Sequence, residues 1–165
     1  MHSIGENEIT NMGGNFNYIN CDCITNVSGQ PETNLFEPND WTYTRCKNNG
    51  NGTYTSDITD GYYCTMTNSS LKNILLQNIG KTITFSFEPK LTNKRISIII
   101  TGTRTGGSTY QEISTDFSGE YNSVSGVIAD DFTFITSIEL RWNRQATQFT
   151  DTTTTISNVR LEIND

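Results

Sequence analysis

Apolar and polar side chains alternate with a period of two in several separate stretches, and this constrains the fold more than any other feature. Ile83, Phe85 and Phe87 alternate with Thr84, Ser86 and Glu88. Ile138, Leu140 and Trp142 alternate with Glu139, Arg141 and Asn143, and Val159, Leu161 and Ile163 with Arg160 and Glu162. Successive side chains of a strand point to opposite faces, so each stretch reads as a strand with one face buried. Ile96, Ile98 and Ile100 repeat the pattern.

Between these runs the chain is punctuated at regular intervals. Trp41 to Cys46 reads as a strand that ends in the turn chemistry of Asn48-Asn49-Gly50-Asn51-Gly52. Further strands are expected at Tyr62–Met66, Tyr110–Thr115, Tyr121–Ile128, Phe134–Trp142 and Ile156–Ile163. Pro89 is expected to end the strand that begins at Thr82. Thr101 to Gly107 reads as a loop, and Gln145 to Thr152 as a polar connection. Ser69 to Ile79 carries the helical spacing Leu71, Ile74, Leu75, Asn78, with Ser69 or Ser70 as its cap, and gives one or two turns of helix.

Many short strands with almost no helix predict an all-β domain, an antiparallel β-sandwich. A jelly roll is the expected topology, although alternation alone does not separate it from an immunoglobulin-like sandwich. Residues 1–33 read as an irregular lead-in with a short strand at Tyr18 to Ile24, and 34–165 as the sandwich domain. A chain of 165 residues can bury a core, and its 33% hydrophobic content predicts a thin one.

The net charge of −7 argues against a duplex nucleic-acid partner and against anionic membranes, because both need concentrated Lys and Arg. No run is long and apolar enough for a spanning helix. No leader is legible at Met1-His2-Ser3, which carries little weight for a domain excised from a longer protein. The four cysteines, Cys21, Cys23, Cys46 and Cys64, are too few for a disulfide scaffold and lack paired zinc spacing. They read as ordinary thiols, with a single Cys46–Cys64 bridge as the alternative.

Catalysis has little to work with. The single histidine, His2, leaves no Ser-His-Asp or Cys-His arrangement. A glycosidase needs only two carboxylates, and Glu112, Asp116, Glu120 and the pair Asp130-Asp131 are available, but they read first as solvated turns. Structural calcium on loop carboxylates is a further option without an EF-hand spacing; no other cofactor is expected. The chain is therefore read as a binding protein, not an enzyme.

Sugars are recognised by aromatic faces together with planar hydrogen-bonding side chains. The candidates for such a site are Trp41, Tyr43, Tyr63, Arg104, Tyr110, Glu139, Arg141 and Asn143. Either face of the Trp41–Cys46 strand could point inward, and Trp142 shares the apolar face of Ile138 and Leu140 and reads as core. Thr84, Ser86, Glu88, Ser97, Thr101, Glu139, Arg141 and Asn143 would form one polar surface if their strands were neighbours; an ordinary solvated sheet face explains them equally well.

Three phrases carry a family resemblance. His2-Ser3-Ile4-Gly5-Glu6-Asn7 resembles the lead-in to a new domain in tail proteins of phages of Gram-positive bacteria. Leu71-Lys72-Asn73, followed by Gly80-Lys81-Thr82-Ile83-Thr84-Phe85-Ser86-Phe87, resembles a passage of jelly rolls of the carbohydrate-binding-module type. Ile156-Ser157-Asn158-Val159-Arg160-Leu161-Glu162 is similar to their closing strand. The chain departs from the pattern at Glu162-Ile163-Asn164-Asp165, where an acidic Glu-Glu-Gly is usual.

The resemblance implies a jelly-roll accessory or receptor-binding domain of a phage or prophage tail, a viral protein of the virion tail that serves host recognition. Its implied partners are a cell-wall polysaccharide or other glycan and other tail proteins, with a homo-oligomer in the intact parent as an option. The family has no fixed set of sugar-binding residues, so none is carried over. The rival expectations are a structural spacer or oligomerisation module of the tail, and the binding module of a secreted or cell-surface glycoside hydrolase.

Overall fold

A computed structural model describes residues 33–56, 63–144 and 153–165. The expected strand at Tyr18–Ile24, Cys21 and Cys23, the lead-in phrase at His2–Asn7, Tyr62 and the whole Gln145–Thr152 connection lie outside the described residues. Ten strands, one short α-helix and a single 3-10 turn at Pro38–Asp40 occur among the described residues: β1 (Thr42–Thr44), β2 (Cys46–Asn48), β3 (Thr53–Ser56), β4 (Cys64–Asn68), α1 (Lys72–Gln77), β5 (Thr82–Thr92), β6 (Arg95–Arg104), β7 (Tyr110–Ser114), β8 (Glu120–Val127), β9 (Phe132–Arg144) and β10 (Thr155–Asn164).

The strands form two five-stranded antiparallel sheets, ordered β1-β4-β9-β6-β7 and β2-β3-β10-β5-β8. Counting from β3, the eight main strands alternate between sheets in the order 1-8-3-6 and 2-7-4-5. That is the double Greek key of a jelly roll, so the sandwich and its expected topology both stand.

Alternation builds the core. Ile83, Phe85 and Phe87 of β5 and Leu161 of β10 point inward from one sheet. Ile96, Ile98 and Ile100 of β6 and Ile138, Leu140 and Trp142 of β9 do so from the other. The Phe87 and Trp142 rings lie 6.4 Å apart. Each such large apolar side chain contributes about 1.5–3 kcal/mol when fully buried.

Four local features differ from the simple alternating picture. The expected strand Trp41–Cys46 is broken at Arg45, which takes φ +54°; β1 pairs with β4 in one sheet and β2 with β3 in the other. β3 itself, Thr53–Ser56, follows the Asn-Gly turn directly, with Asn49 N donating to the Thr53 carbonyl at 3.0 Å. Pro89 does not end β5: the strand runs on to Thr92 through a register shift between Ser86 and Leu91, the kind of irregularity that tolerates a residue without N–H. The Thr101–Gly107 loop is shorter than expected, because β6 extends to Arg104. Gly102 sits within it where no side chain fits, since a Cβ would lie 2.1 Å from the Phe134 carbonyl oxygen.

Helix α1 packs Leu75 into the core beside Leu71. Neither Ser69 nor Ser70 caps it; the buried Asn68 side chain instead accepts from the N–H of Ser70 (2.7 Å) and Leu71 (3.1 Å). Among the described residues no helix is long and apolar enough to cross a membrane.

An aromatic cluster fills the space around the sheet switch at Arg45. Trp41 is 5% exposed and stacks on Phe36 at 5.0 Å; Phe36 meets Tyr54 edge-on at 5.5 Å; Tyr43 stacks on Tyr54 at 5.7 Å. Asn34 fastens the approach to this cluster, accepting from the N–H of Phe36 (3.0 Å) and Leu161 (2.9 Å). Burial raises the Tyr43 and Tyr54 hydroxyls above the usual phenol range. Trp41→Ala therefore removes a core aromatic, and we expect a loss of about 3–5 kcal/mol in urea denaturation; a loss of no more than ~0.5 kcal/mol, the scale of surface substitutions, would contradict this placement.

Cys46 and Cys64 are not bridged to one another, and the Cys64 thiol lies 2.9 Å from the Arg45 carbonyl oxygen. Burial pushes the Cys46 thiol up to about 12. A raised thiol pKa favours the neutral form in the folded state. Its contribution is complete below the unfolded thiol value of about 8.5 and is lost as pH climbs towards 12. In a Cys21→Ser/Cys23→Ser background, Cys46 is expected to resist a thiol reagent at mildly alkaline pH until the chain is unfolded. Rapid labelling of Cys46 in the native protein would contradict this.

Candidate functional site

The outward face of the β1-β4-β9-β6-β7 sheet gathers polar side chains from five strands. Pairing sets Thr44, Thr65, Arg141, Ser97 and Ser114 in one row across the sheet. The next row holds Thr42, Thr67, Glu139, Ile99 and Glu112, and a third runs from Ser137 through Thr101 to Tyr110. Every one of these positions lies opposite the inward set of its strand, so the core alternation itself dictates what the outer face carries.

Across these three rows lies an open cleft of about 280 Å³, lined by Ile99, Thr101, Tyr110, Glu112, Glu139 and Arg141. Its polar side chains are fixed by their neighbours. Arg141 donates through Nε and Nη2 to one Glu139 oxygen at 2.9 and 2.8 Å. Glu112 accepts from Ser97 Oγ at 3.1 Å and faces Arg95 Nη2 at 3.0 Å. Arg95 also donates to the Ser114 hydroxyl. Tyr110, 53% exposed, lines the cleft. An apolar floor at Ile99, an exposed ring and pre-set donors and acceptors are the elements that hold a sugar ring.

The structure divides the eight sequence candidates. Tyr110, Glu139 and Arg141 line the cleft, and Tyr63 lies against it, its ring centre 4.6 Å from the Arg141 guanidinium. Arg104 lies outside the lining; it pairs with Asp131 at 2.8 Å and donates to the Tyr110 carbonyl at 3.3 Å, supporting the rim from behind. Three candidates are corrected. Trp41 belongs to the aromatic core. Tyr43 is half-buried, turned towards Tyr54, and donates its hydroxyl to the Pro38 carbonyl at 2.7 Å. Asn143 is fully buried: its amide donates to Ser56 Oγ at 2.9 Å and accepts from Thr154 Oγ1 at 3.3 Å.

The single polar surface considered from the sequence is also divided. Thr84, Ser86 and Glu88 lie on β5 in the other sheet, where Arg160 and Glu162 pair with each other, whereas Ser97, Thr101, Glu139 and Arg141 share the cleft face. Four side chains absent from the site expectations belong to this face: Arg95, Glu112, Phe117 and Arg144. Glu112 was legible only as one loose carboxylate among several. The two arginines sit at strand ends, where pairing and not local pattern decides the face.

Phe117 occupies the turn between β7 and β8. Asp116 fixes that turn, accepting from the Ser118 N–H at 2.9 Å and the Tyr121 hydroxyl at 2.7 Å. These two donors hold the Asp116 carboxyl below the usual carboxylate range. Thr115 and Ile96 exchange two further bonds, Thr115 N to the Ile96 carbonyl at 3.0 Å and Ile96 N to Thr115 Oγ1 at 3.1 Å. Among the described residues no three His, Cys, Asp or Glu side chains come together as metal ligands.

Compared with known proteins, the chain matches no protein-family model and no curated protein. Among solved structures it is similar to the enzymatically active domain of tailspike protein 4 of bacteriophage CBA120, at a TM-score of 0.40 and 13% sequence identity. The match covers 75% of this chain and 18% of that one, so the chain spans less than a fifth of its neighbour's length. A likeness of this strength assigns neither a role nor a ligand to the chain.

Proposed function

We propose that this chain is a non-catalytic glycan-binding domain of a phage or prophage tail protein, contacting cell-wall saccharide of a Gram-positive host through the outer face of the β1-β4-β9-β6-β7 sheet. The observation that carries the glycan reading is the cleft: an exposed Tyr110 ring beside Glu112, Glu139 and Arg141, each charged group already held by a partner. Such pre-alignment lowers the ordering cost of gripping a hydroxylated ligand. The two cleft carboxylates are engaged by guanidiniums, which suits them to accepting hydroxyl hydrogens and recognising a ring. The tail assignment is supported by the lead-in phrase at His2–Asn7, which resembles phage tail proteins, taken together with the two phrases that resemble jelly rolls of the carbohydrate-binding-module type; on this reading the domain sits in the virion tail beside other tail proteins.

The test is retention of the purified chain on Gram-positive wall polysaccharide and on intact cells. Tyr110→Ala is expected to weaken retention about tenfold, since stacking and the apolar contact of the ring are lost together. Thermal stability should stay unchanged, because the ring is exposed. Absence of retention on every wall preparation would overturn the binding reading, and new reducing ends after incubation would overturn the non-catalytic one.

A further inference from the structure

At one end of the cleft face, guanidiniums and aromatic rings alternate. Arg141 lies over Tyr63 at 4.6 Å, and Arg144 lies over the same ring at 5.7 Å and over Phe117 at 5.7 Å. Arg95 lies over Phe117 at 5.5 Å. The order is therefore Arg141, Tyr63, Arg144, Phe117, Arg95. Among the described residues, three guanidiniums are paired with two carboxylates, Glu112 and Glu139.

Arg144 is the least satisfied of the three. Its nearest carboxylate oxygen is on Glu112 at 4.0 Å, beyond hydrogen-bond length, and its side chain is 32% exposed. Arg95 Nε is buried without a hydrogen-bond partner. Ring contacts hold a guanidinium by its face and leave its edge N–H groups for an incoming acceptor.

Arg144 reaches this face because of a bulge. Plain alternation from Leu140 and Trp142 would turn it inward. Instead Arg141 pairs with Ser97 and Arg144 with Arg95, so β9 spends one residue more than β6 over this step. The extra residue is Asn143, in the left-handed region at φ +58°, with its side chain bonded to Ser56 in the interior. A bulge of this kind re-aims the side chain that follows it.

We infer that the Tyr63, Arg144 and Phe117 end of the face is an anion subsite that takes the carboxylate or phosphate group of an acidic saccharide; this rests on the glycan reading above and names its ligand class. An oxyanion there accepts charge-assisted hydrogen bonds from Arg144 and completes the pairing that Glu112 only approaches. Along β6, Arg95 to Ile99 is roughly 13 Å at about 3.3 Å per residue. An extended oligosaccharide can therefore rest a ring on the cleft and present an acidic group to the arginines.

The test compares binding of the full chain to three soluble polymers: a neutral polysaccharide, a uronic-acid polysaccharide and a phosphodiester-linked polyol polymer. At ~50 mM salt at least one acidic polymer is expected to bind about tenfold tighter than the neutral one, and the advantage should fall at roughly 300 mM salt. Which acidic polymer carries it tells carboxylate from phosphate. Arg144→Gln should remove the advantage and leave neutral binding in place, and Arg144→Lys should restore part of it, with thermal melts confirming that both variants fold. Equal affinity for neutral and acidic polymers, or an acidic preference untouched by Arg144→Gln, would overturn the anion subsite alone. No binding to any of the three would overturn it together with the glycan reading.

Discussion

The apolar layer between the two sheets determines what both outer faces can be. Phe85, Phe87, Ile98, Ile138, Leu140 and Trp142 are buried at 2% exposure or less, and at about 1.5–3 kcal/mol each they set the register of the strands that carry them. A slip of one residue on β9 would bring Glu139 and Arg141 into the core and put Trp142 into water. The cost of desolvating those two charges keeps the strand where it is. The polar rows of the outer face are thus specified from behind, by residues that never touch a ligand.

Departures from this alternation are few, and two coincide with features that shape the face or its support. Arg45 lets the chain leave one sheet and enter the other, which closes the aromatic cluster around Trp41. Asn143 inserts one residue into β9 and turns Arg144 outward. Both residues take positive φ without being glycine. At Asn143 the side chain is anchored to Ser56 and Thr154, so the local backbone conformation is supported by buried hydrogen bonds. The outer face therefore combines a regular part, the cleft, with an irregular part, the ladder of rings and guanidiniums.

What could be read in advance follows the same division. The long strands with clean alternation, Ile83–Phe87 and Ile138–Trp142, were legible because period two reports burial directly. So were Glu139 and Arg141 as one outer pair. Trp41 and Tyr43 precede the sheet switch at Arg45, and Asn143 forms the bulge itself, so the face of each side chain depends on tertiary pairing and not on local alternation. An unbroken strand would set Asn143 beside Arg141 on the outer face, whereas the bulge buries it and promotes Arg144 instead. Arg95, Phe117 and Glu112 come from three different segments, and only the β6-β7 pairing and the β7–β8 turn bring them together.

Mapping the ligand onto the backbone tests the central claim most directly. Amide chemical shifts of the isotopically labelled chain would be followed during titration with wall-derived oligosaccharide fragments. The account predicts that the largest changes cluster on Ile99, Thr101, Glu112, Glu139 and Arg141, on three adjacent strands of one sheet. Changes confined to β5, β8 and β10 of the opposite sheet would contradict it.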